Sequence, residues 1–560
     1  MVSPPTPEAY RFDRQEWTSF DSLREAFEWD VPEVFNLATY VCDRWTAQQD
    51  RTAVHATTRD GAKVDLTFRD LQSASNSLAS YLHRQGIEKG DRIAISGSQR
   101  PETLIANLAT WKLGAVSVPV SVLLGPDGLR NRLNDAAPSG ILAYADNVNA
   151  YREVAPLIKS LRVQLTGDEI NATDPEVPLK EAIATGSGDF ETSTTVPDDP
   201  AIIFYTSGTT GAPKGVVHGH GSLLGVLPAS LTLHDLVIDE TEVYRAVSEL
   251  SWVQSLFDVV LPGLFYGIPV VLHDRNGFTP EQEFALIDEY DITVQWVPPT
   301  ALRLMREEEE LAEQFDLSSV RVIGSGGTAL SDSLVDWAEK TFSHAVVHEA
   351  YGQTEAPAGI GDCTVLGVPH RKGRIGRPSP GFEVAVLDPE TGDVLDEPGK
   401  IGELAIHTDT PLCFTEYLNR PEATAAKVTE EGWLRCEDLV SIDSDGYVAF
   451  HGRADDVIIS AGYRIGPAEV EDAVTSHEAV RDAGVIGIPD DLRDEVPKAF
   501  VMVYDGISPS NQLAGEIESH VRSQLAKYEY PREIEFTDEL PRTTTGKIRR
   551  GALREREGLD

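Results

Sequence analysis

LTFRDLQSASNSLASYLHRQGIEKGDRIAISGSQRPETLIANLATWKLGAVSVP, residues 66–119, is the stretch that decides the fold class. Leu71, Ala74, Leu78 and Leu82 recur at helical spacing, and RIAIS follows as a short apolar strand. Pro101–Lys112 then opens on a proline as helices often do, and GAVSVPV returns to strand. Alternation of this kind predicts a largely parallel sheet covered by helices, an α/β protein. The texture continues beyond it: Ala201–Tyr205 reads as a buried strand after the loop-like Thr185–Pro200, and VYRAV, PVVLH, TVQWV, VRVIGS and AVVHE repeat the strand signal. After Arg453 the units shorten to a capped helix from Pro467, strands GVIGI and AFVMVY, a helix through Ile517–Leu525 and a polar tail. The expectation is a large multi-subdomain N-terminal body of α/β layers over residues 1–454, with a small α+β domain over residues 455–560 and the boundary near Asp455.

Bulk composition excludes several classes. The chain of 560 residues is 41% hydrophobic, enough for more than one packed domain and too much for a disordered chain. No apolar run approaches the ~20 residues a membrane helix needs, and MVSPPTPEAYRFDRQEW lacks the pattern of a secretory signal, so a cytoplasmic protein with no membrane span is expected. The cysteines Cys42, Cys363, Cys413 and Cys436 lack disulfide or zinc spacing and read as reduced. Charge is the unusual feature: 48 Lys and Arg against 91 Asp and Glu give a net −43. Such a surface repels nucleic acid, and its self-repulsion is relieved by salt, which favours a salt-loving cytoplasm over a merely acidic protein. The run Glu307–Glu310 reads as the wet face of a helix.

Three strings carry chemistry. YTSGTTGAPKG, residues 205–215, interleaves Gly208, Gly211 and Gly215 with Thr206, Ser207, Thr209 and Thr210 and places Lys214 near its end. Glycines let successive backbone N–H groups face one anion, and hydroxyls and an ammonium add donors, so the string is a phosphate cradle. It is not a P-loop, because Gly211 is not followed by Lys-Ser/Thr, and GVVH reads as a returning strand. EAYGQTE, residues 349–355, follows strand-like AVVH, at the kind of position where open α/β sheets bind ligands. Tyr351 can stack on a base, Gln353 and Thr354 can hydrogen-bond phosphate or ribose, and Glu355 is a hard oxygen ligand suited to Mg²⁺. GSGGTAL, residues 324–330, permits close backbone approach. Further on, Asp438 can accept from both ribose hydroxyls, while Arg453 and Arg464 offer planar donor forks. Taken singly, the arginines read better as partners of surface acids, and Lys547 in LPRTTTGKIRR as a solvated tail lysine.

Together, from about Leu66 to Arg550, these ordered strings resemble the adenylate-forming superfamily of acyl-CoA synthetases, nonribosomal adenylation domains and luciferases. The likeness is greatest to medium-chain acyl-CoA synthetases, across ADDVIISAGYRIGPAEVE and YGQTE, with an acidic surface of the haloarchaeal kind. The resemblance implies ATP-dependent joining of a carboxylic acid to CoA through an acyl-adenylate, with AMP and pyrophosphate released. It implies that Thr206, Ser207, Gly208, Thr209, Thr210, Gly211 and Lys214 hold the β- and γ-phosphates, Glu355 the Mg²⁺, and Asp438 and Arg453 the ribose. Gly327, Thr328, Glu349, Ala350 and Tyr351 then surround adenine, and Arg464 contacts phosphate. Lys547 serves the first half-reaction, where a cation between carboxylate and α-phosphate offsets their repulsion. Asp455 is the hinge about which the mobile lid swaps Lys547 for the Gly462–Gly466 loop, which faces the pantetheine channel.

The acyl pocket follows from sizes. Acetate-specific relatives carry a tryptophan before QTE, where this chain has Gly352, and a valine where it has Gly326; Trp252 and Val253 supply remaining wall. A medium-length acid is expected, with a short-chain or aromatic acid, or loading of a carrier protein, left open. Cys436-Glu437-Asp438 departs from the usual Thr-Gly-Asp, Thr545 from a serine, and Glu249 from an aspartate.

Overall fold

The computed structural model describes residues 7–559 apart from 49–50, 207–212, 240, 276, 328–329, 454–455, 457, 461–462, 491–492, 526–529 and 543–546. The helix Phe68–Arg84 begins at Thr67, whose side chain and that of Asp70 each accept from the other's backbone N–H. Leu71, Leu78 and Leu82 are buried against the helix Pro101–Lys112, which is buried almost all round. The strands Arg92–Ser96 and Val116–Val120 pair in parallel beneath them.

Those strands lie in an eight-stranded sheet that also holds Pro200–Thr206 and Lys214–Gly219. A nine-stranded sheet carries, as consecutive neighbours, Tyr244–Ala246, Val294–Trp296, Val322–Gly326, Val346–Gln353 and Ala356–Gly361. Both sheets are parallel at their centres but not throughout, as alternation alone predicted. Lys214–Gly219 runs antiparallel to Pro200–Thr206, and Ala356–Gly361 antiparallel to Val346–Gln353. The connections there are too short for the crossover a parallel pair needs, so the chain turns back on itself. A third, four-stranded antiparallel sheet runs from Val384 to Arg453.

A separate five-stranded sheet is built only from residues after 457, with the helices Pro467–Thr475 and Asn511–Gln524 packed on a core of Val470, Val474, Val485, Val501 and Ile517. The molecule is thus a large mixed α/β body followed by a small C-terminal domain. The helix at Pro467 has no side-chain N-cap, contrary to expectation; its initial proline has no N–H to satisfy. The acidic run also differs from one continuous helix: Glu307 ends one helix, Glu308 breaks it, and a short turn of helix resumes at Glu309. All four cysteines are free.

Candidate active site

The nine-stranded sheet ends in a cavity of about 940 Å³ whose wall includes Trp252, Val253, Gly326, Gly327, Ala350, Tyr351, Gly352, Gln353, Thr354 and, from the C-terminal domain, Lys547. EAYGQTE continues the strand it follows. Glu349–Gln353 stay in strand, Thr354 and Glu355 make the turn, and the return strand satisfies the backbone. The hairpin fixes two glycines closely. A Cβ on Gly352 would sit 2.6 Å from the Ala358 nitrogen, and one on Gly326 2.4 Å from the Ala350 carbonyl oxygen. Close backbone packing therefore demands glycine at both positions.

Tyr351, Gln353 and Asp438 form one polar unit, in which Asp438 is buried and the other two are partly buried. The Tyr351 hydroxyl donates to Asp438 Oδ2 at 2.5 Å, Gln353 Nε2 donates to Tyr351 Oη at 3.2 Å, and the Arg453 guanidinium lies 3.6 Å from Asp438 Oδ1. The antiparallel register that places Asp438 opposite Arg453 makes this pairing. Burial raises the Asp438 pKa, with Arg453, Tyr351 and Lys547 pulling the other way. Lys547 is open to the solvent of the cavity yet enclosed by protein. Enclosure lowers its ammonium pKa, against the attraction of Asp438 and Glu355. Glu349 is buried, accepts from the Leu330 N–H at 3.2 Å, and is pushed up to about 8 by burial, so at neutral pH it is mainly a neutral acid.

One departure from the common pattern has a local explanation. Glu437 occupies a usual glycine position and takes that glycine's left-handed conformation, φ 59°. Its N–H bonds Glu403 at 3.0 Å, and its carboxylate pairs with Lys427 at 3.0 Å and Arg453 at 3.2 Å, contacts that hold the strained conformation. Glu249 lines the cavity and accepts from Ser251 Oγ at 2.8 Å.

Glu355 is buried, and Tyr417 Oη donates to its Oε1 at 2.6 Å. Lys214 Nζ lies 5.0 Å over the Tyr417 ring, so the end of the cradle and the carboxylate share one partner. Sequence reading missed Tyr417, because no spacing rule ties position 417 to 355. Thr206 closes one strand and Lys214 opens the next, while residues 207–212 of the cradle lie outside the described residues. Thr328, Asp455, Gly462 and Thr545 also lie outside them; Arg464 is placed on the strand Tyr463–Ile465, but its side chain lies outside them. No three His, Cys, Asp or Glu residues among those described gather into a metal site. A single carboxylate such as Glu355 still fits Mg²⁺, which is commonly held by one or two carboxylates and the phosphates of its substrate.

A large α/β body whose cleft receives a lysine from a small following domain is the arrangement expected of an adenylate-forming enzyme. The AMP-binding enzyme model matches residues 42–418, and the AMP-binding enzyme C-terminal domain model residues 469–547. An uncharacterized acyl-CoA ligase, YtcI of Bacillus subtilis, is 33% identical over 94% of this chain and 97% of its own. The mitochondrial acyl-coenzyme A synthetase ACSM3 of Pongo abelii is 32% identical over 97% of this chain and 93% of its own. The crystal structure of the Brucella canis acyl-CoA synthetase superposes with a TM-score of 0.74 at 31% identity, covering 97% of this chain and 99% of that one. The chain belongs to the AMP-binding enzyme family and is an AMP-forming acid–CoA ligase. ATP, CoA and a small carboxylic acid are its substrates. Among the described residues no helix is long and apolar enough to cross a membrane.

Proposed function

We propose that the acid is of medium length, four to ten carbons, and that Lys547 acts in forming its adenylate. The observation that carries this reading is one cavity shared by Lys547, the Tyr351–Gln353 strand and the apolar wall of Trp252 and Val253. A carboxylate held there meets the α-phosphate beside a fixed ammonium, which offsets their repulsion as charge develops. Thr206–Lys214 hold the outer phosphates, Asp438 and Arg453 the ribose, and Gly327, Glu349 and Ala350 the base. Glu355 holds Mg²⁺, which when bound neutralises charge on the leaving pyrophosphate. Arg464 contacts phosphate, and residues 455–560 turn as a lid about Asp455 to bring the Gly462–Gly466 segment to the thioester step. The −43 charge is suited to a salt-rich cytoplasm.

Each methylene moved from water into the pocket contributes about 0.8 kcal/mol. A screen of pyrophosphate release and CoA-thioester formation, from acetate to dodecanoate with aromatic acids and at molar salt, is expected to peak between four and ten carbons. Acetate should fall more than about tenfold below the peak. A maximum at acetate overturns the chain-length reading. Asp438→Asn should raise the KM for ATP about tenfold or more, since a hydrogen bond to a charged group contributes about 1.5–3 kcal/mol. An unchanged KM removes Asp438 from the nucleotide site.

A further inference from the structure

One carboxyl in the cavity wall is unexplained by any step above. Asp258 lies on Gln254–Val260, a run wound as π-helix, a backbone form that recurs at functional sites. The i→i+5 winding brings Val253, Gln254 and Asp258 to one face, and all three line the cavity together with Trp252. The run packs against the return strand Ala356–Gly361, whose Pro357 and Ala358 abut Gly352. Asp258 therefore belongs to the acyl end of the cavity rather than to the nucleotide end.

Asp258 is only 4% exposed, and its Oδ1 has no hydrogen-bond partner among the described residues. Burying a carboxyl without a partner is costly, and buried polar groups in folded proteins are nearly always paired. Burial alone pushes its pKa well above the usual carboxylate value, with no cation contributing, which favours the neutral acid. A neutral carboxyl both donates and accepts. Trp296, whose indole Nε1 also lacks a partner among the described residues, lines the same cavity.

Resting on the acid–CoA ligase reading with a medium-length acid, we propose that Asp258 recognises an uncharged hydroxyl carried on the chain of that acid. A hydroxyl satisfies both sides of a neutral carboxyl. An ammonium would have to be stripped of water and would force Asp258 to ionise in a wall that gives it no other compensation. The substrate class is thus a hydroxy acid, with Trp252 and Val253 covering its methylenes and Asp258 reading the oxygen.

The experiment compares octanoate, hydroxyoctanoates substituted at successive carbons, and ω-aminooctanoate by kcat/KM for pyrophosphate release, in the wild-type enzyme and in Asp258→Leu and Asp258→Asn. The wild type is expected to prefer at least one hydroxyoctanoate over octanoate by about tenfold or more. Asp258→Leu should reverse that order with the KM for ATP unchanged, and Asp258→Asn, which still hydrogen-bonds, should keep part of the preference. Octanoate as the best wild-type substrate overturns the proposal, as does a hydroxyl preference that survives in Asp258→Leu. A preference for ω-aminooctanoate overturns the hydroxyl assignment in favour of a cation. Failure of the ligase reading looks different: no acid of any kind then releases pyrophosphate.

Discussion

Lys547→Ala is expected to slow adenylate formation from acid and ATP by about a hundredfold to a thousandfold, the usual effect of removing one preorganised donor from a developing charge. The same variant should form thioester from preformed acyl-adenylate and CoA at close to the wild-type rate. The two halves should separate because the charges that act on Lys547 are those of Asp438 and Glu355, the groups proposed above to hold the ribose and the Mg²⁺ rather than the thiol. ATP binding should be nearly unchanged, since the cradle, Asp438 and Arg453 remain. Equal loss in both half-reactions would show that Lys547 supports the fold or the lid rather than the first step.

Glu283→Ala is expected to be the most destabilising single change outside the catalytic groups, at about 3–5 kcal/mol. Glu283 and Arg245 are both fully buried and joined by two hydrogen bonds of 3.0 Å. Arg275 adds a contact of 3.0 Å, Gln295 donates to the same carboxylate at 2.8 Å, and Gln99 accepts from Arg245. Removing the carboxylate leaves buried guanidinium charge uncompensated. Gln99 and Arg275 also line the cavity, so the network ties the floor of the site to the nine-stranded sheet. Denaturant midpoints of the wild type, Glu283→Ala and Glu283→Ala/Arg245→Met measure the effect, and the double variant should recover part of the loss. A single variant as stable as the wild type would sink this account.

The same network sets a pH dependence. Burial pushes the Glu283 pKa up, but Arg245, Arg275 and Gln295 together outweigh it and lower it to about 2. A carboxyl depressed below its unfolded value of about 4.3 stabilises the fold fully above that value. Its contribution is lost as pH falls from there towards 2. The stability gap between the wild type and Glu283→Ala should therefore narrow across that acid window and stay constant above it.

Much of the site was legible because its chemistry is local in sequence. Tyr351, Gln353 and Glu355 fall within one hairpin, and Thr206 and Lys214 pair across two antiparallel strands close in sequence. What was not legible depends on residues far apart in the chain. Tyr417 meets Glu355 across 62 positions, and Glu283 meets Arg245 across 38. Neither distance carries a periodicity. The strand signal AVVHE ends at Glu349 for a related reason: Ala350–Gln353 carry no strand pattern of their own, while pairing with Ala356–Gly361 supplies the hydrogen bonds that extend the strand to Gln353.

The sequence by itself determined the α/β class, the alternation of Phe68–Val120, the acidic surface and the family, because hydrophobic spacing, charge and contiguous motifs are properties of neighbouring residues. Only the tertiary structure decided that Lys547 enters the same cavity as Tyr351, that Gly352 is held by the backbone at Ala358, and that Asp258 joins the cavity wall with its Oδ1 lacking a hydrogen-bond partner among the described residues. Those facts depend on how separate sheets and helices approach one another. Such approach is fixed by close packing of whole surfaces, which no local pattern encodes.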